Sequence, residues 1–366
     1  VASHNIMQLC WEKACLLRPR SLCSRIVLAF IAGLFTSSAW AEATIDTPST
    51  SLCSKIPHPD HPKTFLTNGL VDAVVYLPDA ESGYYRASRF DWAGQVPCLT
   101  YKGHHYFGEW FTKYDPLIHD AITGPVEDWR TGANESAIGY DEARPGDPFV
   151  KIGVGVLRKL TDDSYKFSTH YPLIDGGKRT VKIKRRQIVF TQELHGPNGI
   201  AYLYTKTLEL DAHKPVMYLR HTLKNLGTAS LDTEVFAHNF YVIDEHRTDP
   251  DMVVRFPFEP KPVDSLNPKA AIVGKDLVYR EALTTQPRES VVLYMTGYSN
   301  KVSDFDITVE NKVTNTGVEM SADVPMSKLH FWSPATTICP EAYVHLTIAP
   351  GKSRSYVLTY RFFAGE

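Results

Sequence analysis

Residues 181–210 read VKIKRRQIVFTQELHGPNGIAYLYTKTLEL. Val181-Lys182-Ile183-Lys184 alternates apolar and charged side chains, Arg185-Arg186 interrupts the pattern, and Gln187-Ile188-Val189-Phe190 resumes it, which predicts a hairpin. Gly196-Pro197-Asn198-Gly199 is a turn, and Ala201 to Leu210 follows as another strand. A period of two, with β-branched and aromatic residues between turn formers, belongs to antiparallel strands. Met217 to Leu223, Val235 to Val242, Ser290 to Met295, Ala342 to Ile348 and Ser355 to Phe362 continue it. No segment holds a 3.6-residue apolar period beyond about three turns. G-x-G-x-x-G and P-loop patterns are absent, which removes the main support for doubly wound nucleotide-binding folds. The expectation is an all-β chain with few helices: one large antiparallel two-sheet β-sandwich over 70–366. A loosely ordered arm, rich in Thr, Ser and Pro, is expected over 42–69. No repeat of 20 to 50 residues is visible, which weighs against a propeller or solenoid.

The 366 residues are 43% hydrophobic and 22% charged, enough apolar matter for a sizeable core and too much for disorder. The formal net charge is −2. Residues 1–41 hold four bases (Lys13, Arg18, Arg20, Arg25) and one acid (Glu12), so the rest of the chain is more acidic still. Such a body has no general electrostatic reason to bind nucleic acid.

Ile26 to Phe35, IVLAFIAGLF, is an apolar run behind Arg18, Arg20 and Arg25 and ahead of Ala39-Trp40-Ala41. That is the pattern of a secretory signal peptide over 1–41, cut before Glu42. The run is short for a hydrocarbon core of ~30 Å, so the expected product is periplasmic or secreted, with no membrane attachment after cleavage. Cleavage leaves Cys53, Cys98 and Cys339, which permit one disulfide without saying which.

The chain after the signal has thirteen His but no H-E-x-x-H, C-x-x-C or G-x-S-x-G, so neither a local zinc motif nor a serine-hydrolase elbow is present. In Phe236-Ala237-His238-Asn239-Phe240, strand alternation sets His238 on one face with two aromatic rings. There it can serve as a proton donor near neutral pH or as a core imidazole bonded to a backbone carbonyl. Glu341 enters the apolar strand after Cys339-Pro340, as a candidate general base or as a strand end facing water. Arg86, Arg89 and Trp92 combine cations with an aromatic face suited to sugar recognition or to surface ion pairs. The loop-like stretch Tyr114 to Trp129 offers His119, Asp120, Glu127 and Trp129 as lining residues.

These signals fall in one order. Arg89 in Ser88-Arg89-Phe90, His238-Asn239-Phe240-Tyr241, and Cys339-Pro340-Glu341 followed by Pro350-Gly351 and a last strand together resemble the galactose mutarotase-like superfamily. Its members include aldose 1-epimerases and hexose-phosphate epimerases. Residues 88–110 are similar to those of an exported bacterial branch. The resemblance implies a supersandwich fold, His238 as catalytic acid and Glu341 as catalytic base. It also implies substrate binding by Arg86, Arg89, Trp92, His119, Trp129, Tyr241 and Trp332, with neither metal nor cofactor. The partner would be a mono- or oligosaccharide, acidic sugars included. The sequence departs from the family pattern at Ser88, Val242 and Asp120-Ala121, and the sugar-holding aspartate has only Asp244 and Asp251 as candidates. A non-catalytic carbohydrate-binding protein and a uronate-directed polysaccharide lyase, using His238 or Tyr241 as base, remain alternatives.

Overall fold

The computed structural model describes residue 48 and residues 50–365. The signal peptide expected over 1–41 lies outside the described residues. Two antiparallel sheets dominate. A ten-stranded sheet runs, edge to edge, 270–273, 276–279, 252–255, 306–311, 316–322, 353–364, 216–225, 201–210, 187–195 and 178–184. A six-stranded sheet runs 261–262, 290–296, 328–334, 339–348, 231–238 and 126–130. Four- and three-stranded sheets complete the strands, and among the described residues the only helical elements are the 3-10 turns Leu52–Ser54 and Val302–Asp304.

Alternation explains the layering. In the ten-stranded sheet, Leu208, Leu219 and Leu358 point to the same apolar cluster as Val235, Ala342, Val344 and Phe331 of the six-stranded sheet. The hairpin read from 181–190 pairs Lys184 with Gln187 across its turn, and the strand Ala201–Leu210 lies beside it. Fully burying a Leu, Val or Phe side chain stabilises by roughly 1.5–3 kcal/mol, so this two-sided core carries the fold.

The expected loose arm over 42–69 is corrected for its described part. Lys63–Thr67 pairs with Val71–Tyr76, burying Phe65 and Leu66, and Cys53 forms a disulfide with Cys98. Cys339 is a buried free thiol. The stretch expected to be loop up to Trp129 instead ends in the strand Val126–Arg130, which completes the six-stranded sheet. The chain enters it where Gly124 lies against the Asn239 carbonyl: a Cβ there would stand 1.7 Å from that oxygen, so only glycine fits.

Candidate active site

The outer face of the six-stranded sheet is where the chemistry gathers. In Leu231–His238, Leu231, Val235 and Ala237 turn to the core, leaving Glu234, Phe236 and His238 on the other side. By the same alternation Cys339–Ile348 presents Glu341 and Tyr343, Lys328–Pro334 presents His330 and Trp332, and Ser290–Thr296 presents Val292 and Tyr294. His330 is the direct cross-strand partner of Glu341, and Tyr294 of His330. Of these, His238, Glu341, Tyr343, His330, Trp332, Val292 and Tyr294 floor an open cavity of about 420 Å³, whose walls add Arg89, His119, Asp120, Phe167 and Arg288.

At the floor, His238 Nε2 lies 3.2 Å from Glu341 Oε1 and His330 Nδ1 lies 2.9 Å from Glu341 Oε2. The His330 contact is a hydrogen bond, and since a carboxylate only accepts, Nδ1 is its donor; His238 stands beside the other carboxylate oxygen. Burial alone would raise the Glu341 carboxyl; His238, His330 and Arg89 outweigh it and hold it down at about 2, ionised at any physiological pH. Burial pushes His238 the other way, down to about 3, against the upward pull of Glu341. Its Nδ1 is buried without a partner, and the resting imidazole is neutral.

The strand does not simply run on after His238. Phe240 takes a left-handed backbone conformation (φ 46°), its N–H donates to Cys339 Sγ, and its ring stacks on His238 at 3.8 Å and on Trp110 at 5.2 Å. Positive φ in a bulky residue is uncommon and needs its surroundings to enforce it. Here buried Asn239 does so, donating to the Pro340 carbonyl and accepting from Tyr360 Oη.

Arg89 is held by Asp128. Its Nε donates to Asp128 Oδ2 at 3.1 Å, and its guanidinium is sandwiched between Phe90 and Phe167, 4.3 and 4.2 Å from the ring centres. Asp128 also takes Arg130 Nη2 at 2.9 Å and Lys151 Nζ at 2.6 Å. Burial alone would raise its carboxyl; the three cations, Arg130 foremost, hold it well below the usual carboxylate range.

Of the residues singled out from sequence, His238, Glu341, Arg89, His119 and Trp332 share this cavity, as does Asp120. Seven others do not line it. Trp129 alternates with Asp128 and Arg130, so its ring faces the core and packs edge-on against Tyr204 at 5.3 Å. Tyr241, two residues beyond Asn239, likewise turns inward against Phe107. Trp92 is buried and donates its indole N–H to the Ala87 carbonyl, and Arg86 is half-buried with its backbone N–H on the Pro116 carbonyl. Glu127 faces the core, bonded to Lys206 beside His221. Asp244 bonds His104 and Thr314, away from the cavity. Asp251 sits with His246 and Asp249 in the one group of three possible metal ligands among the described residues, also away from Glu341.

No family model matches the sequence, and no curated protein matches it. Solved structures do. A protein from Synechocystis superposes with a TM-score of 0.50 at 14% identity, covering 84% of this chain and 98% of its own. An Escherichia coli K12 protein assigned as an aldose 1-epimerase gives 0.51 at 10% identity, covering 83% and 99%. A galactose mutarotase-like protein from Clostridium acetobutylicum gives 0.51 at 14%, covering 82% and 95%. The chain has the galactose mutarotase-like fold.

Within that galactose mutarotase-like fold, sequence reading missed Arg130, Glu135, Phe167, Arg288, Tyr294, His330 and Tyr343. The signal for His330 was present: KLHFWSP at 328–334 alternates, which puts His330 on the face of Trp332. Nothing local marks Phe167 or Arg288, which reach the cavity from loops.

Proposed function

We propose that this is an exported carbohydrate-active enzyme that interconverts sugar anomers by acid and base catalysis. The observation that carries the proposal is the buried Glu341 carboxylate touching His238 at the floor of an open, sugar-sized cavity with a partly exposed Trp332 beside it. A cyclic sugar whose O1 hydroxyl enters between Nε2 and Oε1 replaces their mutual contact with two of its own. Glu341 takes the O1 proton, the electron pair forms the C1 carbonyl, the C1 to ring-oxygen bond breaks, and the ring oxygen takes a proton from His238. Rotation about the C1–C2 bond and the reverse proton transfers close the other anomer, leaving both residues as they began. Each correctly placed transfer contributes about 10²–10⁴-fold. Since the resting imidazole is neutral, the step draws on its doubly protonated form, whose population grows as pH falls.

Arg89, held by Asp128 and flanked by rings, is placed to orient hydroxyls. The Cys53–Cys98 disulfide supports export, because such bonds persist in oxidising compartments. Tyr241 in the core speaks against the lyase alternative that used it as base. The test is exchange spectroscopy at the C1 proton of neutral and acidic aldoses: acceleration by catalytic amounts of protein is expected. Shifted ligand signals with no acceleration for any sugar would make it a binding protein.

A further inference from the structure

Resting on that reading, we infer that the site takes the reducing end of an acidic oligosaccharide, with the second and third sugar units lying in a cleft that continues from the cavity over Glu341. Two further cavities adjoin it. One of about 280 Å³ shares Asp120 and Arg288 with the catalytic cavity. Another of about 370 Å³ shares Trp110, Phe111, Thr112 and Thr336 with that second one. Each is of a size to hold one sugar unit, and a single monosaccharide over Glu341 leaves both empty.

The walls are of the kind that holds glycans. Trp110 stands edge-on to Trp332, ring centres 5.1 Å apart, so an aromatic surface passes from the catalytic cavity into the next. Thr112, Thr284, Thr285 and Thr336 supply hydroxyls around Phe111. Charge selects further. Each segment carries at least one cation that makes no ion pair among the described residues: Arg288 where the first meets the second, Lys113 in the second, Lys55 and Arg247 in the third. All four side chains are exposed. Of the acids along the way, Asp120 is beside His119 at 3.5 Å, and Glu109 accepts from Tyr84 Oη at 2.8 Å and lies 3.5 Å from His58. Glu245 alone is left facing Arg247's segment. An available cation in every sugar-sized segment is the complement of a chain with a carboxylate on each unit, since charge-assisted contacts to carboxylates are the stronger class of hydrogen bond.

The experiment measures reducing-end anomer exchange for galacturonate, digalacturonate and trigalacturonate against galactose, galactobiose and galactotriose, in wild type and in the Lys113→Ala/Arg247→Ala variant. In the acidic series kcat/KM should rise about tenfold or more from one to three units, shrink toward no gain at high salt, and lose most of that gain in the variant. Each protein's own monosaccharide rate is the reference. Exchange that is independent of chain length would overturn the inference while leaving the anomer chemistry intact. Equal gains in both series would overturn the acidic assignment. No exchange with any of the six sugars would overturn the acid and base reading itself, and this inference with it.

Discussion

Asp128→Asn should be the substitution that most damages this protein without touching a reacting atom. The wild-type carboxylate is buried and receives Arg89 Nε at 3.1 Å, Arg130 Nε and Nη2 at 3.2 and 2.9 Å, and Lys151 Nζ at 2.6 Å. An asparagine of the same shape keeps one acceptor oxygen, turns an N–H₂ toward the cations, and leaves three buried positive charges without their counter-charge. Breaking a buried ion pair by removing one partner costs about 3–5 kcal/mol. For a domain of this size that corresponds to a fall of about 10 °C in melting temperature. The pH dependence follows from the folded carboxyl being held below its unfolded value of about 4: its stabilisation is complete above that value and fades as pH falls below it. Thermal and urea unfolding of both proteins should therefore show a gap at pH 5 that narrows below about 4. A loss under about 1 kcal/mol at pH 7, or a gap unchanged down to pH 2.5, would refute the electrostatic account of this cluster. The same variant should lower kcat/KM, because Arg89 loses the anchor that aims it at the cavity.

Reducing the Cys53–Cys98 disulfide, whose partners are 45 residues apart, should cost about 4 kcal/mol by the loop-entropy relation, measured as a shift in urea midpoint with and without reductant. Because His238 is pushed down and must be doubly protonated to act, kcat/KM for anomer exchange should rise about tenfold per unit as pH falls from 8 to 5; a profile flat or rising with pH would exclude it as the acid. Tyr241→Phe should leave unfolding within about 0.5 kcal/mol of wild type or slightly above it, since its buried hydroxyl has no partner to lose, and should leave exchange unaffected.

The strands were legible because each buries one face: Ala201 to Leu210 is bounded in the structure as its alternation predicts, and Ser290–Thr296 and Ser353–Ala364 differ only at their ends. Val126–Arg130 was not, since all five of its residues are buried and its pattern is charged (VEDWR), with Glu127 answered by Lys206 and Asp128 by Arg89, Arg130 and Lys151. Apart from Arg130 in the same strand, those partners come from distant segments, and no local window shows them. Similarly, Trp129 and Tyr241 read as binding aromatics, but single-residue alternation beside Asp128 and Phe240 sends both inward. His238 and Glu341 were legible by type and position. Their contact, and the part His330 plays in fixing the carboxylate, depend on strand pairing between Lys328–Pro334 and Cys339–Ile348.

The central claim, that Glu341 and His238 move protons on a bound sugar, is tested most directly by C1 exchange spectroscopy on wild type, Glu341→Gln and His238→Ala. Gln preserves the shape of the side chain and can still accept from His330, so the fold and sugar binding should persist, which ligand-signal shifts would verify. Each variant should then lose about 10²–10⁴-fold in exchange rate while still binding. Exchange by either variant at the wild-type rate would contradict the account.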